Sequence, residues 1–293
     1  MDVRFLQLDV FAHQVGGGNP LGVVLGADHW SDRAMQGFAA WTNLVETTYL
    51  LPASSAAASY RLRIFTPSRE IAFAGHPTIG SAHAALQTGF VQLRDGGLIQ
   101  ECGAGLLPIR ADETGDLRRL FVQAPSARVL EVGADHLPFL RDILGPLELG
   151  RLPPAFVEGG RRWWMAELAH EAQLREWTPE HAAIAKLAQR SDSLGLCVFA
   201  RSSGTDYQLA VRAFPAGVGI IEDPASGAAN GLIAAYIAQA EPRGELARGY
   251  RVSQGRELGR NAVIDIEITA AGKVWVGGST FTVIDGSLLW PAP

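Results

Sequence analysis

One signature occurs twice in the sequence, as FAGHPTIGSAHAAL at residues 73–86 and as IIEDPASGAANGLI at residues 220–233. Its proline, a glycine and an alanine recur at a constant offset of 147 residues (224 − 77, 227 − 80 and 229 − 82), and on this register His76 matches Asp223. In each copy an apolar run precedes a polar residue, a proline and small residues, which predicts a strand, an N-cap, a first-turn proline and a helix. The duplication therefore predicts two similar halves, with His76 and Asp223 each at a helix N-terminus.

The elements predicted around the two signatures also repeat in order. Helices are predicted at 31–41, capped by Ser31, at 136–144 and at 178–189. Strands are predicted at 4–11, 21–25, 47–51, 60–65, 98–103, 106–110, 117–123, 163–168, 194–200, 207–214, 250–255, 262–268 and 273–278. The predicted fold class is α+β, with domains at 1–115 and 116–293, each a sheet wrapped around one helix rich in alanine and glycine. The last strand is a candidate to return to the first domain.

Composition limits the kinds of partner. The 293 residues carry 25 basic and 30 acidic side chains, a net charge of −5, without a block of like charge. We therefore expect no nucleic-acid or membrane partner, and a small molecule instead. The sequence has neither a signal-peptide pattern nor an apolar span of about 18 residues, so a cytoplasmic location is expected. The two cysteines, Cys102 and Cys197, lack zinc-ligand spacing, so we interpret them as free thiols and expect no metal site.

The glycine-rich segment Gly16–Pro20 invites interpretation as a phosphate-binding loop. No Gly-Lys-Ser/Thr follows it, the GxGxxG spacing is absent, and the next element is predicted to be a strand. A phosphate loop needs a helix N-terminus at that point. The sequence therefore argues against nucleotide binding.

The two signature helices suggest a ligand site. If a pseudo-twofold relates the halves, the helix N-termini at Pro77 and Pro224 are expected to face one another across a cleft, where their N–H groups would receive a carboxylate. His76 beside a helix N-terminus is expected to be neutral near pH 7, and Asp223 to be a stabilised carboxylate. Helix capping alone would also explain Asp223. The pairing of different polar residues in the two copies favours divided chemical roles.

Glu46 lies between the first predicted helix and the strand that begins at Thr47. A carboxyl group next to Leu44 and Val45 and a β-rich run could be partly desolvated, which would raise its pKa toward the range useful for proton transfer. A solvated loop glutamate is an equal alternative on position alone.

Several motifs together resemble one family over nearly the whole chain, in order and spacing. The motifs are GNP at 18–20, NLVETT at 43–48, FTPSREIAFAGHPT at 65–78 and EDPASG at 222–227. They resemble those of the phenazine-biosynthesis isomerase (PhzF-like) family, whose fold is similar to that of diaminopimelate epimerase, with two pseudo-symmetric domains, each a mostly antiparallel sheet around a central helix.

The resemblance implies an isomerase that needs no cofactor. By resemblance Glu46 is the main general acid/base, and His76 and Asp223 stand where the epimerase has cysteines and orient the substrate. In the characterised isomerase such a glutamate moves a proton between carbons of trans-2,3-dihydro-3-hydroxyanthranilate. The family habit also implies a homodimer. The predicted substrate-binding residues are Gly75, Pro77, Ser226, Gly227, Ala228 and Gln254, although Gln254 could equally reflect turn chemistry.

The chain departs from the family pattern at three positions. Ser226 replaces a threonine, Ala228 replaces a serine that contacts substrate in the phenazine enzyme, and Val45 stands where serine is frequent. The loss of hydroxyls at Ala228 and Val45 makes a different substrate a reasonable expectation. It also leaves open a non-catalytic protein that binds a carboxylate, while a metal-dependent hydrolase using His76, His83 and Glu46 is a third hypothesis.

Overall fold

The computed structural model describes residues 3–131 and 136–290. Within them the chain forms two compact units, the first extending to Gln123 and resuming at Gly277, the second running from Ala124 to Val276. The boundary predicted from the sequence lies instead at 115/116. Within the described residues, no helix is both long and apolar enough to cross a membrane.

Among its described residues, the first unit contains nine strands and two helices, and its sheet closes because β1 pairs with β16 as well as with β2. Its elements are β1 (Val3–Val10), β2 (Asn19–Leu25), α1 (Asp32–Thr42), β3 (Thr47–Leu51), β4 (Tyr60–Phe65), β5 (Glu70–Ile71), α2 (Gly75–Gln87), β6 (Gly97–Cys102), β7 (Gly105–Asp112), β8 (Arg119–Gln123) and the part of β16 (Val274–Leu288) that follows Val276.

The second unit repeats this order with additional elements. Its elements are β9 (Arg128–Leu130), α3 (His136–Leu144), β10 (Ala155–Gly159), β11 (Arg161–Leu168), α4 (Glu171–Glu176), α5 (His181–Ser191), β12 (Gly195–Arg201), β13 (Leu209–Phe214), α6 (Gly227–Ala240), β14 (Gly249–Gln254), β15 (Ala262–Ile268) and the start of β16. The sequence patterns did not reveal β9, β10 and α4, and they predicted too early an end for β16. β9, β10 and α4 are short, and the distal half of β16 is mostly exposed.

The strands of the two units pair in the same pattern. β1–β2, β3–β4 and β6–β7 are antiparallel, and β2–β3 and β4–β6 are parallel. Correspondingly, β10–β11, β12–β13 and β14–β15 are antiparallel, and β11–β12 and β13–β14 are parallel. This repeated, mostly antiparallel arrangement confirms the predicted pseudo-symmetric α+β fold.

A small-residue helix packs against the inner face of each sheet. α2 contacts β1, β2, β3, β4, β6 and β8, and a Cβ added at Gly80 would lie 2.5 Å from Leu21 Cδ2. α6 contacts β9, β10 and β15 and is almost entirely apolar. The opposite faces are covered by α1, which packs on Tyr49 and Phe65, and by α4 and α5, which pack on Phe214. The small side chains allow the inner helices to approach the strands closely.

The predicted helix starts were wrong by several residues. α2 begins at Gly75 with Ala74 as its N-cap, so His76 is the second helical residue rather than the cap. α6 begins at Gly227 and is capped by the Ser226 hydroxyl, which accepts from Ala229 N, so Asp223 lies ahead of the helix. The helix starts and the glutamates that precede them match at an offset of 152 (227 − 75 and 222 − 70), not 147. On this register His76 corresponds to Ala228.

Candidate active site

In the first unit, Glu46 and His76 form a buried pair. Glu46 precedes β3, after α1 has ended at Asn43 in a left-handed conformation with φ 53°. Oε2 of Glu46 lies 3.4 Å from Nε2 of His76, and the side chains are 12 % and 7 % exposed. The structure thus brings together two of the predicted site residues and places the Glu46 carboxyl in a largely desolvated position.

The His76 imidazole is held in its neutral form. Burial lowers its pKa from 6.5 to about 3, and this outweighs a hydrogen bond to the Pro20 carbonyl oxygen, which favours the charged ring. Within residues 3–131 and 136–290, Nε2 has no hydrogen-bond partner, so the bond to Pro20 uses Nδ1. A neutral ring that donates from Nδ1 presents a lone pair on Nε2 toward Glu46.

The first turn of α2 is held by a buried hydrogen-bond network, and no described side chain caps it. Among the described residues, no side chain makes a cap hydrogen bond at Ala74, and Gly75 and Pro77 lie in the first turn. In this network Gln100 Nε2 donates to Thr78 Oγ1 at 3.1 Å, and the hydroxyl of fully buried Tyr60 donates to Gln100 Oε1 at 3.1 Å. The N–H groups of this turn are therefore suited to bind an anionic atom of a ligand.

In the second unit, hydrogen bonds of its backbone N–H and carbonyl hold Asp223 in place. Its N–H donates to the Ala213 carbonyl at 2.9 Å, and its carbonyl accepts from Gln254 Nε2 at 2.7 Å. Its Oδ1 accepts from Ala225 N at 3.2 Å, the local turn typical of an aspartate before a proline. Asp223 therefore anchors the turn that leads into α6.

The other predicted residues of the second unit surround the start of α6. Gln254 is fully buried, and its Oε1 accepts from Ser226 N at 3.2 Å and from Asn230 Nδ2 at 2.8 Å. Gly227 is buried, whereas Ala228 is exposed. Both polar atoms of the Gln254 amide are thus engaged within the protein, and its contact with a substrate remains a prediction.

Sequence reasoning missed a buried ion pair beside Asp223. Arg212 Nε and Nη2 each donate to Glu222 at 2.9 Å, and the two side chains are 6 % and 5 % exposed. The Arg212 guanidinium also lies 5.1 Å from the Phe214 ring centroid. The first unit has the same arrangement in Arg63, Glu70 and Phe65. The repeated Arg-x-Phe was the signal that could have revealed it.

The predicted metal alternative is not supported by the side-chain positions. In the part of the chain that the structure describes, no group of three His, Cys, Asp or Glu side chains could hold a metal ion. His76, His83 and Glu46 therefore form no such group, and the His83 ring lies instead against Thr282, with Nε2 3.4 Å from its hydroxyl.

Curated relatives are similar over nearly their full length. A Schizosaccharomyces pombe protein named Antisense-enhancing sequence 1 is 32% identical over 290 residues, covering 96% of this chain and 97% of the relative. A Deinococcus radiodurans protein named as an uncharacterized isomerase is 32% identical over 302 residues, covering 98% of this chain and 94% of the relative. The name of the second relative supports an isomerase.

A solved structure agrees with the fold. The crystal structure of a Bacillus anthracis phenazine biosynthesis protein of the PhzF family superposes with a TM-score of 0.84 at 22% identity, covering 99% of this chain and 100% of that one. The sequence profile of the PhzC-PhzF family, described as phenazine biosynthesis-like protein, matches residues 8–286. Together with the repeated pairing pattern, these similarities show that the chain belongs to the phenazine biosynthesis-like (PhzF) family.

Proposed function

We propose that the protein is a cofactor-independent isomerase that moves a proton on a small carboxylate-bearing substrate, with Glu46 as the general acid/base. The observation that carries the proposal is the buried Glu46 carboxyl, 3.4 Å from Nε2 of a histidine that burial keeps neutral. A carboxyl group in such a position can both take a proton from a bound substrate and return it.

The proposed reaction removes one proton from the substrate and returns the same proton to it. The Glu46 carboxylate removes a proton from a carbon activated by a neighbouring carbonyl or double bond, and the C–H electron pair moves into the substrate as an enolate-like anion. The same proton on Glu46 then returns to another carbon, or to the other face of the same carbon. The Nε2 lone pair of His76 accepts a hydrogen bond from protonated Glu46 and orients it between the two steps.

We further propose which groups hold the substrate. The N–H groups at the start of α2, around Gly75, are suited to an enolate-like oxygen, and those of Gly227 and Ala228 to a carboxylate. Asp223 orients the substrate in this proposal, His76 acts on it through Glu46, and Ser226 and Pro77 shape the two helix starts. Because Ala228 is exposed and offers no hydroxyl, we expect a substrate different from that of the phenazine enzyme.

Solvent exchange tests the proposal even while the product is unidentified. The protein is incubated in D₂O with a panel of amino and hydroxy acids and unsaturated cyclic acids, and deuterium incorporation is followed by mass spectrometry and proton NMR. We expect Glu46→Gln to lower the exchange rate of an accepted compound by about 10²–10⁴-fold. Glu113→Gln, an exposed carboxylate of the same unit, should leave the rate unchanged.

Two results would decide against this function. An unchanged exchange rate in Glu46→Gln would remove Glu46 from the chemistry. Calorimetric binding of carboxylates without any exchange across the panel would favour the second candidate, a non-catalytic carboxylate-binding protein, which the missing Ala228 hydroxyl also allows.

A further inference from the structure

A buried aspartate at the end of β1 holds the glycine-rich loop. Asp9 is 3 % exposed, and its Oδ2 accepts from Gly16 N at 2.7 Å while its Oδ1 accepts from Gly18 N at 2.9 Å. Two backbone N–H groups on one carboxylate fix the loop in a single conformation, since hydrogen bonds to a charged acceptor are stronger than neutral ones.

The loop must also approach β1 closely. A Cβ added at Gly18 would lie 2.2 Å from the Val10 carbonyl oxygen, so only glycine fits at this position. Directly after it, Asn19 pairs with Val10 and Pro20 pairs with Asp9 in the antiparallel ladder. The Asp9 carboxylate and the ladder therefore fix the position of Pro20 from both sides of the turn.

The position of Pro20 determines how His76 presents its ring. Proline has no backbone N–H, so Pro20 contributes only its carbonyl, and this oxygen accepts from the His76 imidazole. A carbonyl that accepts from Nδ1 selects the tautomer with the proton on Nδ1. The lone pair on Nε2 then points to Glu46 Oε2 at 3.4 Å.

We propose that Asp9 is a positioning residue for the Glu46–His76 pair, acting through Gly16, Gly18 and the Pro20 carbonyl to hold His76 in the Nδ1–H tautomer. The glycine-rich loop thus serves the proton-transfer site. The inference rests on the proposed function of Glu46, but its geometry can be tested without substrate.

The test is a long-range ¹H–¹⁵N correlation spectrum of protein with ¹⁵N-labelled histidine, in which the His76 signals are assigned with His76→Gln. Wild-type His76 should show the Nδ1–H tautomer. Asp9→Asn keeps one acceptor but places an amide N–H₂ against the other loop N–H. We expect it to mix the two tautomers and to lower the exchange rate on an accepted substrate by about 10–10²-fold.

Asp112→Asn is the matched control, since the Asp112 carboxylate also accepts a loop N–H, from Thr114 at 2.9 Å, in the same unit. It should leave the His76 signals unchanged.

The proposal is wrong if folded Asp9→Asn keeps the wild-type His76 signals, or if Asp112→Asn changes them equally. If Asp9→Asn does not fold, the wild-type spectrum decides, because an Nε2–H tautomer there would contradict the proposal and an Nδ1–H tautomer would support it. Failure of Glu46→Gln to slow exchange would affect the proposed function and leave this spectral test intact.

Discussion

The two units share their strand pairing but start their inner helices differently. α2 has Ala74 at its N-cap, without a cap hydrogen bond from any described side chain, and its second residue is the buried His76. α6 is capped by Ser226, and its second residue is the exposed Ala228. Within the described residues, one copy of the duplicated helix start has a stabilising side-chain cap, whereas the first N–H groups of the other receive no side-chain acceptor at the cap position.

The glutamate proposed as the acid/base also exists in one unit only. Thr47 pairs with Phe65 in the first unit and Leu196 with Phe214 in the second, so Glu46 corresponds to Gly195. A Cβ at Gly195 would lie 1.9 Å from the Phe214 carbonyl oxygen, so no side chain fits there. The second unit therefore cannot supply an equivalent carboxylate at this position.

The duplicated Arg–Glu pairs give the largest expected difference in stability. Glu222 is 5 % exposed in its pair with Arg212, whereas Glu70 is 42 % exposed in its pair with Arg63. Glu222→Ala leaves a buried guanidinium without its carboxylate and should lower the free energy of unfolding by about 3–5 kcal/mol. Glu70→Ala should lower it by less than about 1 kcal/mol. Urea titrations of the two variants measure the difference, and equal losses would contradict the comparison.

The buried imidazole of the first unit makes stability depend on pH. The unfolded chain binds a proton at His76 below pH 6.5, whereas the folded chain binds one only near the lowered pKa of about 3. Between these values His76 should destabilise the fold by about 1.4 kcal/mol for each unit that the pH falls. Subtracting the unfolding free energies of His76→Gln from those of the wild type between pH 6 and 4 isolates this slope. His13→Gln, an exposed histidine, is the control, and a flat difference for His76→Gln would show that the ring is not buried as described.

The helix caps give the smallest expected effect. Ser226→Ala removes the hydroxyl that accepts from Ala229 N and should cost about 1 kcal/mol. Ala74→Ser supplies a cap that α2 lacks and should stabilise by a similar or smaller amount, while lowering activity because the new hydroxyl competes for the helix N–H groups. Thermal unfolding together with the exchange assay measures both, and full activity in a stabilised Ala74→Ser would argue against a functional role for the α2 start.

Local sequence patterns were sufficient for most of the fold. β3 and β4 were predicted at their observed ends, because alternating apolar residues and the following breakers specify strands locally. The Ser31 cap of α1 was also predicted, and its hydroxyl accepts from Ala34 N at 3.2 Å. These features depend only on residues that are neighbours in sequence.

The helix starts and the supports of the site depended on contacts between distant residues. Asp223 and Ser226 are both residue types that can act as an N-cap. The β-bridge between Asp223 and Ala213 holds the aspartate ahead of α6, so Ser226 is the N-cap. Asp9 lies in a strand pattern that does not show whether its carboxylate is buried. The burial of Glu46 likewise requires α1, β3 and α2 to be packed, which is why position alone left its role open.

The central claim is that proton transfer belongs to Glu46 of the first unit, whereas Asp223 of the second serves substrate binding. Its most direct test compares deuterium incorporation by Glu46→Gln and Asp223→Asn at saturating concentrations of one accepted substrate. We predict that Glu46→Gln loses about 10²–10⁴-fold in the saturated rate, while Asp223→Asn mainly raises the substrate concentration needed for saturation. A wild-type saturated rate in Glu46→Gln, with exchange abolished in Asp223→Asn, would contradict the account.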